Sequence, residues 1–287
     1  MASFNAIDLS KLPEPNVLEP LDYEAIVASA LADLTVRAPE LAPTLALQSE
    51  PLVKLVQGHA YRELLLRARV NKAARSGMLA FAAGADLDHR AADLGVTRQE
   101  GETDEELRAR TVLAPEGFSV AGPKGAYVFH ALSAHPDVAD VYVVSPSPGV
   151  VSVYVLANSE IGNGAATAAI VAPVSAALNA DSVRPFTDQV NVYAAGVVGF
   201  GVAATLTFLP GPDSSLVLAA AEAAVRAYAA ERRRFGRTVT RAGLLAALMR
   251  PGVQNVVLAT PAGDIALTPT QAAVLTNVAL INGGVVA

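Results

Sequence analysis

The chain has 287 residues, 52% of them apolar and 17% charged, with a formal charge of −6 and neither cysteine nor tryptophan. That length supports a substantial core arranged as more than one unit. The acidic balance argues against nonspecific nucleic-acid binding, and the missing cysteines exclude a disulfide framework, thiolate metal sites and thiol catalysis.

Residues 1–20 carry Pro13, Pro15 and Pro20 among Leu9, Leu12, Val17 and Leu18. Proline fixes extended geometry and removes donors, so this is an extended arm, either frayed or burying its apolar groups on a neighbouring chain. Its first residues lack the basic-then-apolar pattern of a signal peptide. From 21 to 115 the pattern is helical. Asp22 is placed to cap a helix through Ile26, Val27, Ala30, Leu31 and Leu34 that ends before Pro39. A longer helix starts near Ser49, with Leu52, Leu55, Val56, Ala60, Leu64 and Ala68 spaced as one buried stripe. The stretch "DLDHRAADLG" predicts a short helix closed by Gly95, and Thr103 with Glu106 predicts a capping box.

Between 116 and 287 short valine-rich runs ("VADVYVVS", "VVSVYVLA", "QVNVYAAG", "AATLTFL", "VQNVVLAT") alternate with alanine-rich helices at 165–178 and 214–234. Interleaved helix and strand predict an α+β or mixed α/β region, with helices covering one face of a sheet. "ALSAHPDVADVYVVSP" (131–146) is echoed by "ALMRPGVQNVVLATP" (247–261), with Pro136, Val138, Val141 and Pro146 matching Pro251, Val253, Val256 and Pro261. Each copy ends a helix at a proline and starts a strand within two residues, which suggests two helix–strand–strand units. The uncharged run at 194–209 is shorter than the roughly 20 residues a membrane-spanning helix requires, and its second half alternates as a strand does. No membrane partner is expected.

Several residues invite chemistry. Gly117, Gly122, Pro123, Lys124 and Gly125 approach the phosphate-loop pattern, which would make the chain a nucleotide-binding enzyme using the loop at 117–125. The pattern breaks in three ways: a charged helix precedes it, Pro123 is inserted, and Gly125 replaces the hydroxyl residue. Pro123 fits better as the first residue of a helix, with Gly122 at its cap. Asp86, Asp88, His89 and Asp93 resemble a metal set, but Leu87, Ala91, Ala92 and Leu94 claim the apolar face and leave the polar residues in water. His130 and His135 have no acid or nucleophile in a recognisable motif beside them, and His135 suits a helix C-terminus. "ERRRFGR" (231–237) closes a helix and is either a dipole complement or a basic recognition patch. Between Glu50 and Arg75, Lys54, Arg62, Arg67, Arg69, Lys72 and Arg75 make a basic helix in an acidic chain: a solvated face, or a face for an acidic protein partner. No catalytic, cofactor-binding or metal-binding residue is assigned.

The long stretch from "LALQSEPLVKLVQGHAYRELLLRARVNKAARSGMLAFAAGADLDHRAADLGV" through "LAPEGFSVAGPKGAYVFHALS", "VRPFTDQVNV", "LTFLPGP", "YAAERRRFGR" and "LTPTQAAVL" resembles the baseplate J-like family over nearly the whole chain. These are wedge proteins of contractile phage tails and tailocins. The resemblance implies a virion structural component, not an enzyme, with no cofactor. It implies as partners a second wedge protein, further copies of this chain around a six-fold ring, and hub or sheath-initiating proteins, without nucleic acid or membrane. It also implies assembly in the bacterial host cytoplasm and rearrangement on contraction. On this basis residues 21–115 are expected to form a helical wedge core and 116–287 to make ring and wedge contacts. The connection "TRQEGETDEE" is short where relatives often carry a longer excursion.

Overall fold

The computed structural model of the chain describes residues 7–158, 164–211 and 213–285, so the first six residues of the expected arm lie outside the described residues. Residues up to Val112 form one compact unit and residues from Leu113 form another. The architecture is α+β.

The first unit is helical. After a 3-10 turn at Leu9–Lys11 come α1 (Tyr23–Arg37), a second 3-10 turn (Pro39–Leu41), α2 (Ala42–Leu45), α3 (Pro51–Ser76), α4 (Ala85–Ala92) and α5 (Asp104–Gly117). Asp22 caps α1 by accepting the Ala25 N–H at 3.0 Å. The capping box before α5 is closed both ways. Thr103 N–H donates to Glu106 at 2.9 Å, and Glu106 N–H donates to the Thr103 hydroxyl at 3.3 Å. Gly95 follows α4 with φ +72°, a left-handed conformation that suits glycine, and Val96 N–H behind it returns to the Ala91 carbonyl.

Tyr23, Ile26, Val27 and Leu31 of α1 pack on Ala60 and Leu64 of α3. The buried line of α3 runs through Val53, Ala60 and Asn71, and Leu55, expected in the stripe, is 59% exposed. Leu55 lies two residues from Val53 and five from Ala60, which puts it on the side of the helix away from α1. Asn71 fixes the arm. Its amide accepts the Glu19 N–H and donates to the Glu19 carbonyl, both at 2.8 Å, as a neighbouring strand would. Arg67 meets Glu19 at 3.2 Å and Arg75 meets Glu14 at 2.7 Å. Residues 14–19 therefore dock on α3 of their own chain, while Leu12 and Val17 stay exposed.

The second unit contains α6 (Lys124–Ala134), β1 (Val138–Ser147), β2 (Val150–Ala157), α7 (Ala168–Leu178), β3 (Gln189–Ala194), β4 (Gly196–Phe208), α8 (Ser214–Arg232), α9 (Arg241–Leu248), β5 (Val253–Thr260) and β6 (Gln271–Val285). They build two three-stranded sheets, ordered β1-β2-β3 and β5-β4-β6. In each, the central strand is antiparallel to one neighbour and parallel to the other. Tyr127 and Ala131 of α6 join Ile170, Val174 and Leu178 of α7 on a valine face of β1 and β2. On the second sheet Val202, Ala204, Leu206 and Phe208 meet a seam of Val217, Ala221, Val225 and Ala229 spaced four apart on α8. Each large side chain fully buried there contributes about 1.5–3 kcal/mol. The uncharged run at 194–209 is thus mostly the central strand β4, and among the described residues no helix is long and apolar enough to cross a membrane.

The internal repeat holds for its helix–strand part. α6 leads through Pro136 into β1, and α9 leads through Pro251 into β5. Its second strands differ: β1 pairs with the following β2, whereas β5 and β6 are separated by β4.

The segment after α8 ties the two sheets together. Arg233 donates to the Ala157 carbonyl at the end of β2. Phe235 N–H donates to Asp140 on β1 at 3.1 Å, and Gly236 N–H donates to the Gln271 carbonyl at the start of β6 at 2.9 Å. Phe235 packs against Leu156, Ala195 and Ala272, one residue from each of β2, the β3–β4 link and β6. "ERRRFGR" is therefore an internal clasp as well as a helix end, with Arg233 turned onto the first sheet. Burial pushes the Asp140 carboxyl up from its ordinary value, against the pull of the Phe235 N–H and Arg234.

Asp140→Ala is predicted to destabilise the fold by about 1–3 kcal/mol in urea denaturation, because Phe235 N–H loses its acceptor. Since the folded carboxyl holds its proton to higher pH than the unfolded one, the contribution of Asp140 to stability falls as pH rises above about 4. The advantage of wild type over the variant should narrow in the same direction.

Candidate assembly surfaces

The glycine-rich loop is shaped by packing. Gly122 has φ +72°, and a Cβ there would lie 2.6 Å from Pro185 Cγ. At Gly117 a Cβ would run into the Phe129 ring. Pro123 is the N-cap of α6, one position earlier than expected, with φ −64° and ψ 153°. Lys124 places its ammonium over the Tyr142 ring, 5.2 Å from the centroid. Tyr127 donates to Asp188 at 2.6 Å, and burial is the larger cause that raises its phenol pKa. The loop follows helix α5 and not a strand, so it departs from a phosphate loop in both setting and lysine placement.

The other candidates disperse. Asp88 accepts Arg98 Nε at 2.7 Å, Asp93 meets Arg90 at 2.9 Å, and His89 is exposed. Among the described residues no three His, Asp or Glu side chains gather as a metal set. His130 packs edge-on to Phe129 with ring centroids 5.3 Å apart, and burial lowers its pKa against the pull of a Gly117 backbone bond. His135 is the C-cap of α6, and its Nδ1 accepts the Asp137 N–H at 3.1 Å, so it organises the turn into β1.

Sequence reasoning passed over one polar group. Glu102 receives Arg110 bidentately at 2.8 and 2.7 Å, with both side chains buried, and Arg110 also donates to the Thr97 carbonyl. Arg98 joins Asp88 and Asp104 beside it. The only local signal was the charge density of "TRQEGETDEELRAR", because the pairing depends on the turn at Gly101, where φ is +76°.

What remains prominent is exposed apolar surface. The outward face of α3 carries Leu55, Leu66, Arg62 and Arg69, flanked by Tyr61, Leu65 and Val70. Of the basic residues on this helix, Arg67 and Arg75 are engaged by the arm, whereas Arg62 and Arg69 have no ion pair among the described residues. In the second unit Phe186 is 98% exposed beside Pro185, and Phe118 and Val120 are exposed in the loop that meets it at Gly122. Contiguous apolar exposure of this kind marks association surfaces.

Comparison with known proteins accords with surfaces of this type. The chain is 44% identical to Baseplate protein J of Escherichia phage P2, across 97% of this chain and 98% of that protein. The chain belongs to the baseplate J-like family. The family's N-terminal domain matches residues 48–102, its central domain 119–194 and its C-terminal domain 201–281. The baseplate J-like central domain coincides with the first sheet and its helices, and the C-terminal domain with the second. The gap between them holds Ala195, which lies in the cluster with Phe235. Residues 119–281 thus hold two family domains, joined by that clasp within one compact unit. The N-terminal domain begins just before α3 and ends at the buried Glu102.

Gly122→Ala should cost roughly 1–3 kcal/mol, from the left-handed backbone and the collision with Pro185 together. Lys124→Ala should cost about 0.5–1 kcal/mol, the scale of one exposed cation–π contact. Denaturation midpoints of the two variants check the order.

Proposed function

We propose that this chain is a structural component of a contractile-tail baseplate wedge. In this reading it joins a second wedge protein, forms with further copies a six-fold ring around the central hub, contacts hub or sheath-initiating proteins, and changes arrangement when the sheath contracts. It resides in the tail baseplate of the particle and is assembled in the host cytoplasm. The helical unit up to Val112 supplies the wedge core, and the two-sheet unit supplies contacts around the ring.

The observation that carries this reading is the outward face of α3. It lies inside the stretch matched by the family's N-terminal domain, and it combines exposed leucines with Arg62 and Arg69 in a chain of net charge −6. Such a face suits an amphipathic helix with acidic flanks, where the leucines supply buried area and the arginines set partner and register. The alternative, a nucleotide-dependent enzyme working through residues 117–125, has little support from a loop whose lysine lies on a tyrosine ring.

The double reversal Arg62→Glu with Arg69→Glu should leave the thermal midpoint within a few degrees, since surface changes away from packed features are usually small in effect. It should weaken co-purification with the second wedge protein by tenfold or more, about 1.4 kcal/mol. Undiminished co-purification would remove α3 as the wedge contact.

A further inference from the structure

The four sheet edges of the second unit are not equally guarded. β1 carries Asp140 and Pro146, β3 has only six residues, and β5 is eight residues long between Pro251 and Pro261. These are the ordinary devices that keep an edge from pairing with a stranger. β6 has none of them. It is fifteen residues long, "QAAVLTNVALINGGV", without a charge or a proline. Gly236 covers its first carbonyl at Gln271, and beyond that no strand among the described residues pairs with its outer side. Its most regular portion is Asn277 to Asn282, which matches Gly201 to Leu206 of β4 pair for pair without a register shift. Ile281 and Val285 are 61% and 56% exposed.

We infer that the outer edge of β6 pairs with β6 of a second copy of this chain, antiparallel about a two-fold axis near Ala279. The inference rests on the ring reading and names one self-contact within it, a closed two-fold contact that joins copies in pairs and so requires an even number of them around the ring. Three features favour a second copy over an unrelated strand. An uncharged strand meets its own copy with no like-charge pair opposed, whereas a charged edge would repel itself. A two-fold axis normal to the sheet keeps each face continuous, so the helix-covered sides of the two sheets fall on the same side. Centring on Ala279 puts the smallest side chain of the segment on the axis. It then sets half-buried Val278 beside Leu280 of the second copy, both of which pack towards the α8 core, and exposed Asn277 beside Ile281. A three-stranded sheet becomes a continuous six-stranded one.

The chain has no cysteine, so a single introduced thiol reports on its own neighbourhood. Ala279→Cys in the full-length chain should form a disulfide-linked or short-linker dimer, in the purified protein or in assembled tails. Val257→Cys on the β5 edge should give at least roughly tenfold less. Asn277→Lys with Ile281→Lys, which would bring lysines face to face across the axis, should weaken self-association at least tenfold in sedimentation while circular dichroism stays unchanged. Should the lysines unfold the chain, the cysteine comparison decides alone, because Ala279→Cys is a small change at an exposed position. Crosslinking of the Ala279→Cys variant to a different polypeptide, or no crosslink in either setting, overturns the strand pairing. Loss of this contact with the chain still present in baseplates would leave the ring reading intact, whereas absence of the chain from baseplates would remove that reading as well.

Discussion

Phe235 occupies the point where two small sheets must be held as one body. Neither sheet has enough strands to bury both of its ends, and three-stranded sheets with one helical face are modest in stability. The clasp that follows α8 solves this locally: an aromatic ring among Leu156, Ala195 and Ala272, with backbone or side-chain bonds from Arg233, Phe235 and Gly236 to β2, β1 and β6. The aspartate that receives Phe235 has a raised pKa as a consequence, since it is kept from water to make that bond. With the sheets joined in this way, the unit presents its loops and edges from a firm base.

The helical unit reaches firmness by other means. Ile26, Val27 and Ala60 bury the contact of α1 with α3. Leu87, Ala91, Val96 and Leu107 are buried further along, and polar groups add to the holding. Asn71 binds the arm as a strand would, and the buried Glu102–Arg110 pair anchors the turn before α5. Taking both charges out of water offsets much of their attraction, so the pair adds little net stability, although removing one partner would strand the other and be strongly destabilising. The leucines on the outer face of α3 are left out of this packing, and they are the residues a partner would cover.

Local signals made much of the fold legible. Asp22, the Thr103–Glu106 box and the valine runs announced α1, α5 and five strands, because caps and alternation act over a few residues. Other features depended on distant neighbours. Leu55 is apolar like its neighbours in the sequence, yet it faces outward because α1 packs on Ala60 and Leu64, on the other side of the helix. β6 was missed because "TNVALINGG" has few β-branched residues and two glycines, and its strand form comes from parallel pairing with β4. The repeat was legible as helix, proline and strand, but which strand pairs with which is a long-range choice that the matched residues do not encode. The candidate surfaces were half visible. The basic character of α3 could be read directly, whereas the division of its arginines between the arm and the outer face required the arm's position.

A chain that is a fixed part of the baseplate must be visible there, and electron cryomicroscopy of intact tails looks for it without an intermediate assay. The expected result is density for both compact units, repeated around the hub at the distal end of the tail, with the outer face of α3 covered by another polypeptide. Tails whose baseplate is complete without density for this chain, or with α3 open to solvent in every copy, would contradict it.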